Sequence, residues 1–122
     1  MKQLLLIGGM MLLAISCGRR DGSQMKPVVS VTILPQQFFV EKVAGSLAEV
    51  NVMVPPGASP ATYEPTVQQL RKLERSPLYL KVGHVEFERS WMEKISATNP
   101  SMNIVDLSVG IDLVSGEPPD SL

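Results

Sequence analysis

The sequence has little of several residue types that catalysis and stabilisation depend on. It contains one cysteine, Cys17, one histidine, His84, and 5% aromatic residues. A lone cysteine excludes an intrachain disulfide. Neither a Ser–His–Asp or Cys–His set nor a glycine-rich phosphate loop is found, so we expect no enzyme activity. The net charge of -1 gives no electrostatic basis for a nucleic-acid partner, and 122 residues allow one domain at most.

The amino-terminal residues have the pattern of an export signal. Lys2 precedes an apolar run at 4–15, which is shorter than the ~20 residues of a membrane-spanning helix. The small residues before Cys17 resemble a bacterial lipobox, in which the chain is cleaved before the cysteine and the cysteine carries lipid. We therefore expect a signal peptide at 1–16 and a lipidated polar tether at 17–26, which would anchor the protein to a membrane of the cell envelope. The alternative is an ordinary signal peptide with an incidental cysteine.

Hydrophobic periodicity after the tether alternates between strand and helix. Runs at 27–34, 78–82 and 103–107 indicate strands, and the alternating run at 47–54 indicates a strand with one more exposed side. Apolar stripes predict three helices: one at 35–44, one that begins after the cap residue Thr66, and one at 86–97. In the first helix, Phe39 pairs with Val43 and Val40 with Ala44. The order β-α-β-α-β-α-β predicts an α/β fold with a mostly parallel sheet at 27–116, followed by a tail at 117–122.

The loop between the second strand and the second helix is the most distinctive segment. Residues 54–66 read Val-Pro-Pro-Gly-Ala-Ser-Pro-Ala-Thr-Tyr-Glu-Pro-Thr. Prolines fix their own φ and restrict the preceding residue, so this loop is stiff. It follows a strand, as does the turn at 83–85, and ligands of parallel α/β sheets bind beyond the carboxyl ends of the strands. Both segments are therefore candidates for a binding site.

This loop resembles the signature loop of the zinc- and manganese-binding lipoproteins that serve bacterial ABC importers. The resemblance extends to 31–39, 43–45, 78–84 and 91–95, and so covers the 27–116 region. It implies two α/β lobes with a metal in the cleft, held by three histidines and sometimes a carboxylate, and an ABC transporter permease as partner. The signature residues present here are Pro55, Pro56, Gly57, Ser59, Pro60, Tyr63, Glu64 and Pro65.

Two departures from the family pattern affect the expected activity. The position at which the family has its first histidine is Ala61, and a methyl group cannot coordinate zinc. The other ligands and the second lobe have no counterpart before Leu122. We therefore expect half of a solute-binding-protein lobe, truncated relative to the two-lobe fold. Intact relatives would bind zinc or manganese, whereas this chain would bind neither tightly.

The other residues that could coordinate a metal are weaker candidates for ligands. His84, Glu86 and Glu88 form a His-x-Glu-x-Glu array, but they straddle a turn and a helix start, where we expect their side chains to diverge. The two glutamates would then favour the helix dipole, and His84 would be a polar turn residue. Glu64 could replace the lost ligand, although a role in shaping the loop fits the resemblance better. Asp106 and Asp112 are interpreted as turn and cap residues.

An alternative function is a short envelope-anchored lipoprotein that acts as an adhesion or protein-interaction module without metal. For either function, an interrupted sheet leaves an open strand edge and an uncovered apolar face. We therefore expect a marginally stable domain or self-association through the sheet edge.

Overall fold

The computed structural model describes residues 25–114, so the predicted leader, Cys17 and the predicted tail lie outside the described residues. Within that range, strands and helices alternate in the predicted order, with a short 3-10 turn before the second strand. The elements are β1 (Val28–Ile33), α1 (Leu34–Ala44), β2 (Glu49–Val54), α2 (Val67–Glu74), β3 (Leu78–Lys81), α3 (Glu86–Thr98) and β4 (Asn103–Asp106).

The four described strands form one sheet in the order β2-β1-β3-β4, and every pairing is parallel. In the centre, Val31 of β1 pairs with Val52 of β2 and with Leu80 of β3. The predicted α/β fold with a mostly parallel sheet is therefore confirmed. Because the strands run in one direction, the segments that follow β1, β2 and β3 all leave from the same edge of the sheet.

The two faces of the sheet are covered unequally. The main core lies beneath α2 and α3 and consists of Met53, Val54, Leu73, Tyr79, Phe87, Ile95 and Met102. Neighbouring strand residues point to opposite faces, so Leu78 and Leu80 of β3 point away from this core. They face the side of α1, which packs on β1 and β2. Two helices thus cover one face, and α1 is the one described helix on the other.

The incomplete cover leaves an apolar groove beside α1. The groove has a volume of about 360 Å³, and residues of α1, β1, β3 and the segment after β4 line it. Of the predicted stripe on α1, Val40 is buried, whereas Phe39 is 66% and Val43 is 90% exposed. The predicted helix is correct, but half of its apolar stripe faces this groove and the solvent rather than a packed core.

Strand β2 alternates only as far as Met53, because Val54 next to it is also buried, and its more buried side carries the polar residue Asn51 rather than the valines at 50 and 52. Asn51 and Met53 are buried, whereas Val50 and Val52 are half-buried. The Asn51 amide tolerates burial because it donates to the Ser30 hydroxyl at 3.2 Å and to a backbone carbonyl of α2 at 3.1 Å. A satisfied hydrogen bond removes most of the cost of burying an amide.

The helix ends follow the sequence signals. Gly45 ends α1 with φ of +55°, and its N–H donates to the Glu41 carbonyl, which is the predicted glycine stop. Thr66 caps α2 by accepting a hydrogen bond from the Gln69 N–H at 3.3 Å, again as predicted. Across residues 25–114, each helix is too short or too polar to cross a membrane.

Candidate functional site

The two candidate segments lie at the same edge of the sheet. The loop at 55–65 follows β2, and the turn at 83–85 follows β3, with β1 between these two strands. The described sheet therefore places both segments at its carboxyl edge, where parallel sheets bind ligands.

The loop is built from two consecutive turns. The Ala58 N–H donates to the Pro55 carbonyl at 3.2 Å, and the Tyr63 N–H donates to the Ser59 carbonyl at 3.0 Å. Gly57 adopts φ of +81° in the first turn, a left-handed conformation that favours glycine. Ala61 lies in the second turn and is exposed. The position that carries a histidine in the resembled family is therefore at the loop surface.

The side chain of Gln69, which was not among the predicted site residues, holds this loop. The Gln69 amide nitrogen donates to the carbonyls of Val52 and Met53 at 2.7 and 3.0 Å. Its oxygen accepts from the Thr66 N–H at 2.8 Å and from the Tyr63 hydroxyl at 2.9 Å. The sequence pattern that could have identified Gln69 is the Thr-x-x-Gln spacing from Thr66 to Gln69, which is typical of a capping box.

Within the Tyr-Glu-Pro segment, the two side chains differ in their surroundings. Tyr63 is half-buried and lies 6.4 Å from Phe87, measured between ring centroids, in addition to its bond with Gln69. Glu64 is exposed. In this geometry Tyr63 shapes the loop, and the Glu64 carboxylate faces solvent.

The His-x-Glu-x-Glu array does not converge. His84 is exposed, and Glu86 is exposed beside Arg89, with 3.5 Å between carboxylate oxygen and guanidinium nitrogen. Glu88 instead points inward and is 4% exposed. The two glutamates begin the same helix, but one contacts solvent and the other lies in the interior, so the three residues are not arranged around one point.

The buried Glu88 side chain holds the turn after β3 by hydrogen bonds to its backbone. Its carboxylate accepts from the N–H groups of Val82 and Gly83 at 2.6 and 2.8 Å and from the Thr32 hydroxyl at 2.5 Å. The Thr32 oxygen is also 3.0 Å from the Tyr79 hydroxyl. Burial raises the pKa of Tyr79, and the nearby Glu88 carboxylate adds to this rise.

Asp106 closes the turn after β4. The Ser108 hydroxyl and, next in importance, Lys81 hold the pKa of Asp106 at about 2, below its ordinary value of 3.8. The carboxylate accepts from the Ser108 hydroxyl at 2.6 Å and lies 2.9 Å from the Lys81 ammonium. These contacts correspond to the turn role expected from the sequence. Asp112 is exposed.

The side chains that could coordinate a metal lie apart from one another in the described part of the chain. Between residues 25 and 114, no three His, Cys, Asp or Glu side chains come together in a way that could hold a metal ion. The residues at the carboxyl edge thus form a loop with a defined shape and a turn held by hydrogen bonds, and the exposed position 61 in the loop's second turn carries a methyl group.

Comparison with known proteins gives a consistent family assignment. A family model described as zinc-uptake complex component A, periplasmic (ZnuA), matches residues 29–121. A curated protein of Chlamydia trachomatis serovar D, provisionally described as metal-binding, is 29% identical over 103 residues, which make up 84% of this chain and 35% of that protein.

Two solved structures give the same fold. The crystal structure of ZnuA is 40% identical with a TM-score of 0.66, and the match covers 73% of this chain and 34% of the ZnuA chain. A Mn-bound periplasmic metal-binding protein from Candidatus Liberibacter asiaticus has a TM-score of 0.66 at 22% identity, and it supports the fold alone. The chain spans about a third of the length of these relatives.

Proposed function

The chain belongs to the ZnuA family of periplasmic zinc-uptake components, as the resemblance of its loop predicted, and on this premise we propose that it forms the loop-presenting part of a metal-binding solute receptor. The cargo would be zinc or manganese, and the partner would be the permease of an ABC importer. The family is one of binding proteins, not enzymes. The descriptions of the relatives do not favour the alternative of an adhesion module.

The single observation that carries the proposal is the exposed position 61 on a fully formed loop. The two turns and the Gln69 contacts shape the loop, and Ala61 is exposed on it. Zinc requires nitrogen, sulfur or carboxylate oxygen ligands, so a methyl group here leaves the loop without a donor. We therefore propose that this chain binds zinc or manganese weakly, and that His84 does not replace the missing ligand.

The test is to restore a donor at that position. We expect Ala61→His to strengthen zinc binding by at least tenfold, or about 1.4 kcal/mol, as measured by NMR titration of the loop amides. Thr62→His is the matched control, because Thr62 is also exposed on the same loop. Equal zinc affinities for the two variants would show that position 61 has no special place, and the proposed function would fail.

We further propose that the protein is exported and held at the cell envelope. In this proposal residues 1–16 are a signal peptide, Cys17 carries the lipid, residues 17–26 are the tether, residues 27–116 form the partial lobe and residues 117–122 are a tail. The lone cysteine at the end of an apolar run supports it. Mass spectrometry of the protein from a bacterial host should find a lipid-modified Cys17, and a Cys17→Ser variant should remain unmodified. An unmodified thiol in the exported protein would contradict the anchor.

The apolar groove beside α1 supports a proposal of self-association. Phe39 and Val43 are largely exposed at its rim, and β4 is an outer strand of the described sheet. Exposed apolar patches and open strand edges both favour association. We propose that the isolated chain associates through this side at micromolar concentration.

A further inference from the structure

All three described helices begin with the same kind of contact. The side chain of the third residue of each helix forms hydrogen bonds with the backbone near the end of the preceding strand. Gln36 of α1 accepts two backbone N–H bonds at the end of β1, at 2.9 and 3.0 Å. Glu88 of α3 accepts two backbone N–H bonds just after β3, at 2.6 and 2.8 Å. Gln69 is the corresponding residue of α2. A Glu or Gln at this position commonly bonds to the backbone at the helix start.

Gln69 differs from the other two residues because a long loop separates its helix from the preceding strand. Its nitrogen binds the carbonyls at the end of β2, where the loop begins, and its oxygen binds the Thr66 N–H, where the loop ends. The same oxygen also binds the Tyr63 hydroxyl within the loop. One side chain therefore joins both ends of the loop and its interior.

We propose that Gln69 is the positioning residue that closes the loop at 55–65 and fixes the conformation in which position 61 is presented. The inference rests on the proposed function, which makes this loop the presenting segment. Buried Asn51 supports the arrangement by donating to the Gln69 carbonyl at 3.1 Å. The contacts of the Gln69 side chain go to atoms other than those of residue 61. These contacts therefore do not depend on the side chain at position 61, which is alanine in this chain.

Amide hydrogen exchange, measured by NMR on the 122-residue chain without metal, tests this role. In Gln69→Leu we expect the amides of Thr62, Tyr63 and Thr66 to exchange at least tenfold faster, while the amides of β1 and β3 keep their wild-type rates. Gln69→Glu retains an acceptor for the Thr66 amide but loses the donor to β2. Thr66 should therefore stay protected while Thr62 and Tyr63 exchange faster. The matched control is Gln68→Leu, an exposed neighbour on the same helix, which should leave every rate unchanged.

Two results would overturn the proposal. Unchanged loop rates in Gln69→Leu would mean that the glutamine does not hold the loop. Equal acceleration in the loop and in β1 and β3 would mean that it contributes to global stability alone. If Gln69→Leu does not fold, Tyr63→Phe takes its place, since it removes only the hydrogen bond between the Tyr63 hydroxyl and Gln69. Its loop exchange rates are then compared with those of β1 and β3 in the same way. Because no metal is present, failure here leaves the zinc proposal standing. Failure of the zinc titration would remove the presenting role of position 61, whereas the closure of the loop by Gln69 is still decided by these exchange rates.

Discussion

Replacing Glu88 by glutamine should destabilise the fold strongly, although it changes few atoms. The buried carboxylate accepts from the Val82 and Gly83 N–H groups and from the Thr32 hydroxyl. Glutamine offers one acceptor oxygen, and its NH₂ group would face a donor. At least one partly buried N–H would therefore lose its partner, at a cost of ~1–3 kcal/mol. The remaining bonds lose their charge assistance. We expect a total loss of about 2–4 kcal/mol, a large part of the ~5–15 kcal/mol typical of a native domain.

The assay is urea unfolding followed by tryptophan fluorescence. Trp91, the single tryptophan of the sequence, stacks on Phe87 of the same helix at 6.1 Å between centroids and reports the packing of α3. Glu86→Gln is the matched control, because its exposed pair with Arg89 is worth ~1 kcal/mol at most. If Glu88→Gln lowers the free energy of unfolding no more than Glu86→Gln does, the buried carboxylate does not hold the turn after β3.

Two further predictions follow from charge and exposure. The depressed pKa of Asp106, about 2 against 3.8, stabilises the fold above pH ~4, and that contribution is lost as the pH falls toward 2. Asp106→Asn should therefore flatten the dependence of the urea midpoint on pH between 4 and 2, and an unchanged curve would count against the Ser108 and Lys81 contacts. Replacing both Phe39 and Val43 by lysine should convert an associating chain into a monomer by light scattering. A wild-type chain that is already monomeric would rule out association through the groove.

The order and type of the elements were predictable because local signals agreed with one another. The β-branched strands, the Gly45 stop and the Thr66 cap each act within a few residues, so their effects appear in the sequence. An uncovered apolar face was expected from the departure from the family's two-lobe pattern, but the residues that form it were not predicted. An apolar pair such as Phe39 and Val43 indicates a helix face that packs against another surface. The sequence pattern does not tell whether another element of the chain packs there.

The position of the loop after β2 was predictable, but the contacts that hold it were not. Its prolines act on the backbone locally, whereas Gln69 binds carbonyls at the end of β2, which are distant in sequence. Glu88 appeared equivalent to Glu86 in a helix start, and its burial depends on how α3 packs against β1. Long-range polar contacts of this kind require the tertiary fold to be known first.

We propose that the loop at 55–65 is a metal-presenting loop that lacks its presenting ligand, and zinc calorimetry on the 122-residue chain is the decisive experiment. A Cys17→Ser background removes the one thiol, which would otherwise bind zinc on its own. We expect no zinc site with a dissociation constant below about 1 μM, or about -8.2 kcal/mol of binding free energy. A single submicromolar site in this variant would contradict the claim.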